Sequence, residues 1–242
     1  VLHYQFVTGR FKGITGNSEF RFFVGLLCCA ICFISLALFF FDGSAYHGGV
    51  KDAKYESLQG ALRYAAFQAV SIATTTGFCN ADFDRWPHFC RFFLVLIMFI
   101  GGCAGSTAGG MKVARVMLLF KSSARELVHL LRPRAIMHVK LSGKPVSEEI
   151  LTNTLGFVVL YMMLFGVLSI ILTIFGTEPI TAFSSVASMM NSIGPALADA
   201  GASKTYSGIA YPGKWILIFC MLLGRLEIYA VILIFLPITW KK

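Results

Sequence analysis

Long runs of apolar residues alternate with short polar stretches along this chain. The segment Phe22–Phe41 contains twenty residues without a charge, which is long enough for an α-helix to cross a hydrocarbon core of about 30 Å. Three further runs have a similar character: Phe92–Ile100 with its continuation, Ile150–Phe175 and Trp215–Trp240. The pattern predicts an all-α polytopic membrane protein with four spans.

Two shorter apolar stretches lie between these spans. As helices, Ser57–Ala73 and Pro179–Met190 would extend only about 25 Å and about 18 Å, and the first contains Arg63. They are too short or too polar to cross the membrane. We predict that they are re-entrant helices, which enter from the outer side and leave on the same side, and whose irregular backbone is shielded by protein or lines an aqueous path.

A glycine-centred turn follows each short helix, TTTGF at Thr74–Phe78 and NSIGP at Asn191–Pro195. Each half of the chain thus contains a span, a short helix, a turn, a polar return and a span, with Phe67 and Gly77 corresponding to Phe183 and Gly194. The C-terminal end of a helix carries partial negative charge, which favours a cation at each turn.

Glycine tolerates positive φ and lets successive carbonyls turn towards one axis, where they could replace the hydration shell of a cation. Taken singly, TTTG is equally compatible with an ordinary helix C-cap. Its paired occurrence favours a selectivity filter. The predicted filter residues are Thr74, Thr75, Thr76, Gly77 and Phe78 in the first turn and Asn191, Ser192, Ile193 and Gly194 in the second.

The third span is interrupted by GGCAGSTAGGMK at Gly101–Lys112, with five glycines in its first ten residues. Glycine costs a helix about 1 kcal/mol relative to alanine, so the helix must break there. A phosphate-binding loop is disfavoured because GxxxxGK[ST] is not matched and no strand precedes it. A small-residue packing face is one alternative. We favour a loop that closes an ion path, because broken backbone at membrane depth requires a cavity.

The residues assigned to this closing loop are Gly101, Gly102, Gly105, Ser106, Thr107, Gly109, Gly110 and Lys112, although Lys112 could instead reach the cytoplasmic surface. Arg225 in MLLGRLEIY lies within the last span, where a charge costs on the order of 3 kcal/mol unless it faces protein or water. It either pairs with a buried acid or carbonyl, or lines the ion path near the glycine-rich loop. The second interpretation is favoured.

Composition and charge agree with a membrane protein. The chain is 57% hydrophobic and 14% charged, which excludes an ordinary soluble domain. Between Lys112 and Lys144 there are eight basic residues and one acid, whereas Asp42–His88 holds four bases and five acids. The basic segment and both chain ends are therefore predicted to be cytoplasmic. The net charge of +9 is a topology feature, and a nucleic-acid partner is disfavoured.

Cysteine and histidine indicate no further chemistry. Most of the seven cysteines lie in apolar runs, which favours a packing role over metal binding, although Cys79 and Cys90 could form a disulfide on the outer side. The five histidines are scattered outside the spans. An enzyme would need a clustered set of reactive groups, so enzymatic function is disfavoured.

The turns TTTGF and NSIGP, the loop GGCAGSTAGGMK and the segment GRLEIY, in this order, resemble the Trk/Ktr/HKT superfamily of potassium transporters, and within it the bacterial TrkH and TrkG branch. The resemblance implies four span, pore-loop, span repeats in a pseudo-fourfold, potassium-channel-like architecture. It makes the two turns the third and fourth filter strands, and Gly101–Gly110 the gate, with Arg225 beside it. It implies K⁺ as substrate, bound at Thr75, Thr76, Asn191 and Ile193.

The resemblance also suggests a domain division. Residues 1–21 would be a cytoplasmic linker, 22–112 the third repeat, 113–149 a basic cytoplasmic helix and connection, and 150–242 the fourth repeat. Because the superfamily has four repeats and this sequence has two and lacks an initiator Met, we expect it to be a C-terminal half that works with a missing N-terminal half.

The implied function is selective K⁺ uptake across the bacterial inner membrane, driven by the membrane potential. The alternative is a cation-coupled carrier, a K⁺/H⁺ or K⁺/Na⁺ symporter with alternating access. Implied partners are a second copy in a homodimer and cytosolic TrkA-like regulatory subunits that bind NAD or ATP. The basic segment 121–144 is compatible with such subunits, although binding of anionic lipid is the simpler explanation, and charge alone does not choose between them. No organic cofactor is expected in this chain.

Overall fold

The computed structural model describes residues 16–40, 55, 57–132, 139–141, 143–226, 228–235 and 240. The helices are α1 (Ser18–Phe40), α2 (Leu58–Ala73), α3 (His88–Met98), α4 (Val113–Leu131), α5 (Glu148–Ile174), α6 (Pro179–Met190), α7 (Tyr211–Leu226) and α8 (Ile228–Phe235). Single 3₁₀ turns lie at Phe83–Arg85, Ala198–Ala200 and Tyr206–Gly208. A short antiparallel hairpin pairs β1 (Lys140–Leu141) with β2 (Lys144–Pro145). The predicted all-α membrane fold is confirmed, with this hairpin as a small addition.

Two of the predicted spans are continuous helices. Among the described residues, α1 and α5 are the helices that are long and apolar enough to cross a membrane. They coincide with the predicted spans Phe22–Phe41 and Ile150–Phe175, but α1 begins at Ser18, inside the segment predicted as a linker. Asn17 explains this start, because its side-chain oxygen accepts a hydrogen bond from the Glu19 N–H (2.9 Å) and thereby satisfies a free donor of the first turn.

The third predicted span is interrupted, and the last one begins earlier than predicted. Helix α3 ends at Met98 and α4 begins at Val113, so the predicted break at the glycine-rich loop (residues 101–112) is present. The last span was predicted to begin at Trp215, but α7 begins at Tyr211. Pro212 suits a first helical turn, and hydropathy missed this turn because it contains few apolar residues. Residues 227 and 236–239 of the predicted span lie outside the described part of the chain.

The helices repeat one arrangement twice. In the first half α2 packs against α1 and α3, and in the second α6 packs against α5 and α7. The two halves meet where α3 contacts α6 and where α4 contacts α5. On α2, Ala61, Ala65 and Ala69 are fully buried. Their spacing of four residues places them on one face, and their small size lets the neighbouring helices approach closely.

One hydrophobic core joins the two halves. Phe99, which follows α3, packs edge-on against Phe165 of α5 with ring centroids 5.0 Å apart, and Phe165 packs against Phe183 of α6 at 4.7 Å. Large apolar side chains also lie exposed on the outer helix faces, among them Phe33 and Ile170. A surface of this kind suits an apolar surrounding rather than water.

Candidate functional site

The turns after α2 and α6 have the same backbone conformation. Thr75 and Ser192 have φ values of 56° and 54°, and Gly77 and Gly194 have φ values of 80° and 112°. Positive φ is uncommon for residues other than glycine. Its occurrence at matched positions therefore shows that the two turns are structural equivalents.

Hydrogen bonds from one serine in each short helix establish the register of this repeat. The Ser71 hydroxyl donates to the Phe78 carbonyl (2.7 Å), and the Ser188 hydroxyl donates to the Pro195 carbonyl (2.8 Å). Gly77 of the first turn therefore corresponds to Gly194 of the second turn, as predicted. The predicted pairing of Phe67 with Phe183 is wrong by one residue, because alignment on the aromatic side chains ignores the helical register.

The backbone N–H groups of both turns point back to the preceding helix. The bonds are Thr75 N to Ile72 O (3.0 Å), Thr76 N to Ser71 O (2.9 Å), Gly77 N to Ser71 O (3.4 Å), Ser192 N to Met189 O (3.0 Å), Ile193 N to Ser188 O (2.9 Å) and Gly194 N to Ser188 Oγ (3.0 Å). In a trans peptide unit the N–H and the preceding C=O point in opposite directions. The carbonyls that therefore point away from the helices belong to Thr74, Thr75, Thr76, Asn191, Ser192 and Ile193.

The two turns lie directly against each other. A Cβ built on Gly77 would lie 1.9 Å from the carbonyl oxygen of Ile193 and 3.4 Å from Cδ of Pro195. Only glycine fits there, because a side chain would occupy the position of a backbone oxygen. The C-terminal ends of α2 and α6, with their partial negative charge, thus meet at one place in the fold.

The hydroxyl groups of the first turn differ in their partners. The Thr74 hydroxyl donates to the Val70 carbonyl (2.7 Å), as in an ordinary helix end, and also contacts the Thr76 hydroxyl (2.8 Å). The Thr75 hydroxyl instead accepts a hydrogen bond from the Gly109 N–H of the glycine-rich loop (3.2 Å). The Phe78 side chain is 70% exposed. Thr75 and Thr76 also belong to the helix C-cap, because Thr75 has positive φ and their N–H groups bond to the Ile72 and Ser71 carbonyls, whereas Gly77 and Phe78 lie beyond the cap.

The glycine-rich loop packs against the turn after α6. A Cβ on Gly109 would lie 2.5 Å from the carbonyl oxygen of Asn191, and a Cβ on Gly110 would lie 1.8 Å from its side-chain oxygen. Asn191 is fully buried, and its amide nitrogen donates to the Ala187 carbonyl (2.6 Å). Because both glycines must lack side chains to approach Asn191, the loop and this turn form one packed unit.

The loop is closed by its own hydrogen bonds. Ile100 and Met111 form a parallel bridge, in which the Gly101 N–H donates to the Met111 carbonyl (2.8 Å). Gly102 is also bound, since its carbonyl accepts from the Val113 N–H (3.3 Å). Gly105, Ser106 and Thr107 form the exposed tip of the loop.

Two long side chains bind the tip of the loop. The Lys112 ammonium donates to the carbonyls of Ser106 (3.0 Å) and Ala108 (2.5 Å), so its side chain folds back onto the loop. The Arg225 guanidinium donates to the Thr107 carbonyl. Both cations thus neutralise carbonyls that a broken helix leaves without partners.

A carboxylate binds the opposite flank of the tip. Oε1 of Glu19, in the first turn of α1, accepts a hydrogen bond from the Ala104 N–H (2.5 Å). The loop borders a cavity of about 350 Å³, whose lining also includes Arg115, Tyr161 and Arg225.

The polar returns after the two turns are joined by an aspartate. Asp84 accepts a hydrogen bond from the Ala198 N–H (3.1 Å) and forms an ion pair with Arg91 (2.7 Å). Ala198 has a φ of 55°.

All seven cysteines are free, so the suggested disulfide between Cys79 and Cys90 is not formed. Burial raises the pKa of the Cys79 thiol.

Several residues of this site were not singled out from the sequence: Glu19, Ser71, Asp84, Ser188 and Tyr206. A sequence feature identifies the two serines, because each lies six positions before the glycine of its turn. Glu19, Asp84 and Tyr206 have no comparable pattern. Their partners lie in other parts of the chain, so only the fold reveals them.

The comparisons with known proteins all indicate the same family. The profile of the TrkH family, described as cation transport protein, matches residues 15–241. The Trk system potassium uptake protein TrkH of Halomonas elongata is 44% identical over 188 residues, which is 78% of this chain and 38% of that protein. The protein of the same name from Salmonella typhimurium is 36% identical over 242 residues, covering 100% of this chain and 47% of that protein.

A solved structure matches the fold. The crystal structure of the potassium transporter TrkH from Vibrio parahaemolyticus superposes with a TM-score of 0.86 at 35% sequence identity, covering 99% of this chain and 49% of that one. The chain thus spans about half the length, or less, of these relatives.

Proposed function

Because this chain belongs to the TrkH family of cation transport proteins, we propose that it forms part of a pathway for potassium uptake. The relatives from Halomonas and Salmonella are named as potassium uptake proteins. K⁺ is then the substrate, the protein is a transporter rather than an enzyme, and this chain carries no organic cofactor.

The contact between the two turns is the observation that carries this proposal. Their N–H groups are bonded to the preceding helices, and Gly77 lies against the Ile193 carbonyl. Carbonyls gathered in this way can replace the water around a dehydrated K⁺ ion. The filter strands are Thr74, Thr75, Thr76, Gly77 and Phe78, and Asn191, Ser192, Ile193 and Gly194, with K⁺ bound by Thr75, Thr76, Asn191 and Ile193.

The glycine-rich loop is proposed as the gate of this pathway. Gly109 and Gly110 pack directly against Asn191, so the loop obstructs the inner side of the filter. Arg225 and Lys112 stabilise the obstructing conformation through the loop carbonyls. The gate comprises Gly101, Gly102, Gly105, Ser106, Thr107, Gly109, Gly110, Lys112 and Arg225.

Two filter strands cannot surround an ion, so the conducting unit needs further repeats. We propose that a longer protein supplies them, that two such proteins form a dimer, and that nucleotide-binding cytosolic subunits regulate it. The setting is the bacterial inner membrane, with both ends of this chain cytoplasmic, as the basic residues indicate. Lipid headgroups are the simplest partners of the basic segment 121–144.

The test uses the full-length protein reconstituted in vesicles. Wild-type protein should pass K⁺ in proportion to the membrane potential. Gly77→Ser should lower the preference for K⁺ over Na⁺ by about tenfold. The serine side chain would displace the Ile193 carbonyl and the serine backbone would have to adopt positive φ, at a cost of about 1–3 kcal/mol. Ion flux measures K⁺ transport, and reversal potentials measure the preference for K⁺ over Na⁺.

Gly166→Ser is the matched control, since a Cβ at Gly166 on α5 meets nothing within 4 Å. An unchanged ion preference in folded Gly77→Ser protein would refute the filter assignment. Flux strictly coupled to H⁺ or Na⁺ in a fixed ratio would instead establish the carrier alternative.

A further inference from the structure

Hydrogen bonds hold the peptide units on both sides of the Gly194 Cα atom. Its N–H donates to the Ser188 hydroxyl (3.0 Å), and its carbonyl accepts a hydrogen bond from the Tyr206 hydroxyl (2.6 Å). One bond orients the peptide unit before the Cα atom and the other orients the unit after it. A glycine with φ near 112° has wide conformational freedom, and these two bonds remove it.

The first of these units contains the Ile193 carbonyl, which points in the opposite direction to the Gly194 N–H. It lies against Gly77 of the other turn. The orientation of Gly194 therefore determines where the Ile193 oxygen lies. A rotation at Gly194 would move an oxygen that the proposed function assigns to K⁺.

Tyr206 packs against the turn that follows α6. It follows the polar return in the 3₁₀ turn Tyr206–Gly208, and its phenol lies beside the hydroxyls of Ser185 and Ser188 on α6. Ser185 is fully buried. A phenol is protonated at physiological pH and can donate, and burial raises the pKa of Tyr206 further, to about 12.

Among the residues that the structure describes, the first turn has no equally strong counterpart. There the Gly77 carbonyl receives the Cys79 thiol at 3.7 Å, and that thiol accepts from the Gln68 amide at 3.5 Å. A thiol is a weak donor, and a short bond from a phenol is much stronger. The two turns thus share a backbone but differ in how firmly the glycine carbonyl is held.

We propose that Tyr206 is a positioning residue for ion selection, which fixes the Gly194 carbonyl and thereby the Ile193 carbonyl. This inference rests on the proposed function, because it assumes that these oxygens contact the ion. The Tyr206 hydroxyl does not contact the ion and acts only through the backbone of the fourth filter strand. The first turn, with its weaker thiol contact, is the more adaptable side of the filter.

The test is Tyr206→Phe in the full-length protein, with Tyr211→Phe as the control, because the Tyr211 side chain is 83% exposed at the start of α7. Loss of one hydrogen bond should lower the K⁺ over Na⁺ preference about fivefold. The K⁺ concentration for half-maximal flux should rise while the maximal flux changes little, a separation that a general loss of folded protein does not produce. Tyr211→Phe should match the wild type in both.

The possible outcomes separate the two proposals. If wild-type protein passes no K⁺, the proposed function fails whatever the variants do. If wild-type protein selects K⁺ and folded Tyr206→Phe retains its ion preference and half-maximal concentration, the assignment of Tyr206 is overturned. Should Tyr206→Phe not fold, Ser188→Ala removes the hydrogen bond on the other side of Gly194. The ion preference and the half-maximal K⁺ concentration of that variant then decide whether the orientation of Gly194 sets ion selection.

Discussion

At the scale of single residues, glycines with the same backbone conformation have different surroundings. Gly105 and Gly110 both lie in the glycine-rich loop, with φ values of 78° and 70°. A Cβ at Gly105 would meet nothing within 4 Å, whereas a Cβ at Gly110 would overlap the Asn191 side chain. The backbone strain of a substitution is thus similar at the two positions, but of the two only Gly110 also contacts the turn after α6.

Gly110→Ala should therefore raise basal K⁺ flux about tenfold, because overlap with Asn191 costs about 1–3 kcal/mol and pushes the loop from its obstructing position. Gly105→Ala carries the same strain without the overlap and should change flux much less. Flux into vesicles at fixed membrane potential compares the two. Equal flux from both variants would mean that the loop does not obstruct the path.

At the scale of elements, the glycine-rich loop is an interrupted helix held by side chains from elsewhere in the chain. Arg225 of α7 and Glu19 of α1 bind opposite flanks of its tip. The conformation of the loop therefore depends on side chains from two other helices.

Arg225→Ala should increase basal flux by about tenfold or more, because a hydrogen bond from a charged donor contributes about 1.5–3 kcal/mol. Arg225→Lys keeps a cationic donor and should restore part of the closed state. Arg85→Ala is the control, since the Arg85 side chain is 70% exposed in a surface ion pair. Single-channel or vesicle flux measurements would contradict this prediction if folded Arg225→Ala protein conducted like the wild type.

At the scale of the whole molecule, the two halves are joined at the paired turns, at the aromatic contact of Phe99 with Phe165 and at the polar returns. There Asp84 binds both Arg91 of its own half and the Ala198 N–H of the other. The Nε atom of Arg91 is buried and makes no hydrogen bond in the structure. Asp84 thus compensates a partly buried charge while it aligns the two polar returns.

Asp84→Asn should lower the free energy of unfolding by about 2 kcal/mol, because it removes a charged partner and leaves the Arg91 guanidinium poorly compensated. Asp199→Asn should cost about 0.5 kcal/mol or less, since the Asp199 side chain is 69% exposed in its ion pair with Lys204. Thermal unfolding of the purified full-length protein measures both. Similar melting temperatures for the two variants would contradict a joining role for Asp84.

The sequence by itself determined the helices, the two turns and the position of the interrupted span. Hydrophobic runs, the repeated glycine turns and the glycine content of residues 101–110 are local properties, and they limit the backbone wherever they occur. The helix starts at Ser18 and Tyr211 were missed because capping and a proline in the first turn, rather than hydropathy, decide where those helices begin.

Only the tertiary structure decided which groups meet. Arg225 and Thr107 are 118 positions apart and Ala198 and Asp84 are 114 apart, and no periodicity along the chain connects such pairs. The contact of Gly77 with Ile193 and the bond from Tyr206 to Gly194 likewise depend on how helices pack. Packing is set by the combined shape of many side chains, so the partners of a turn follow from the whole fold and not from the residues of the turn.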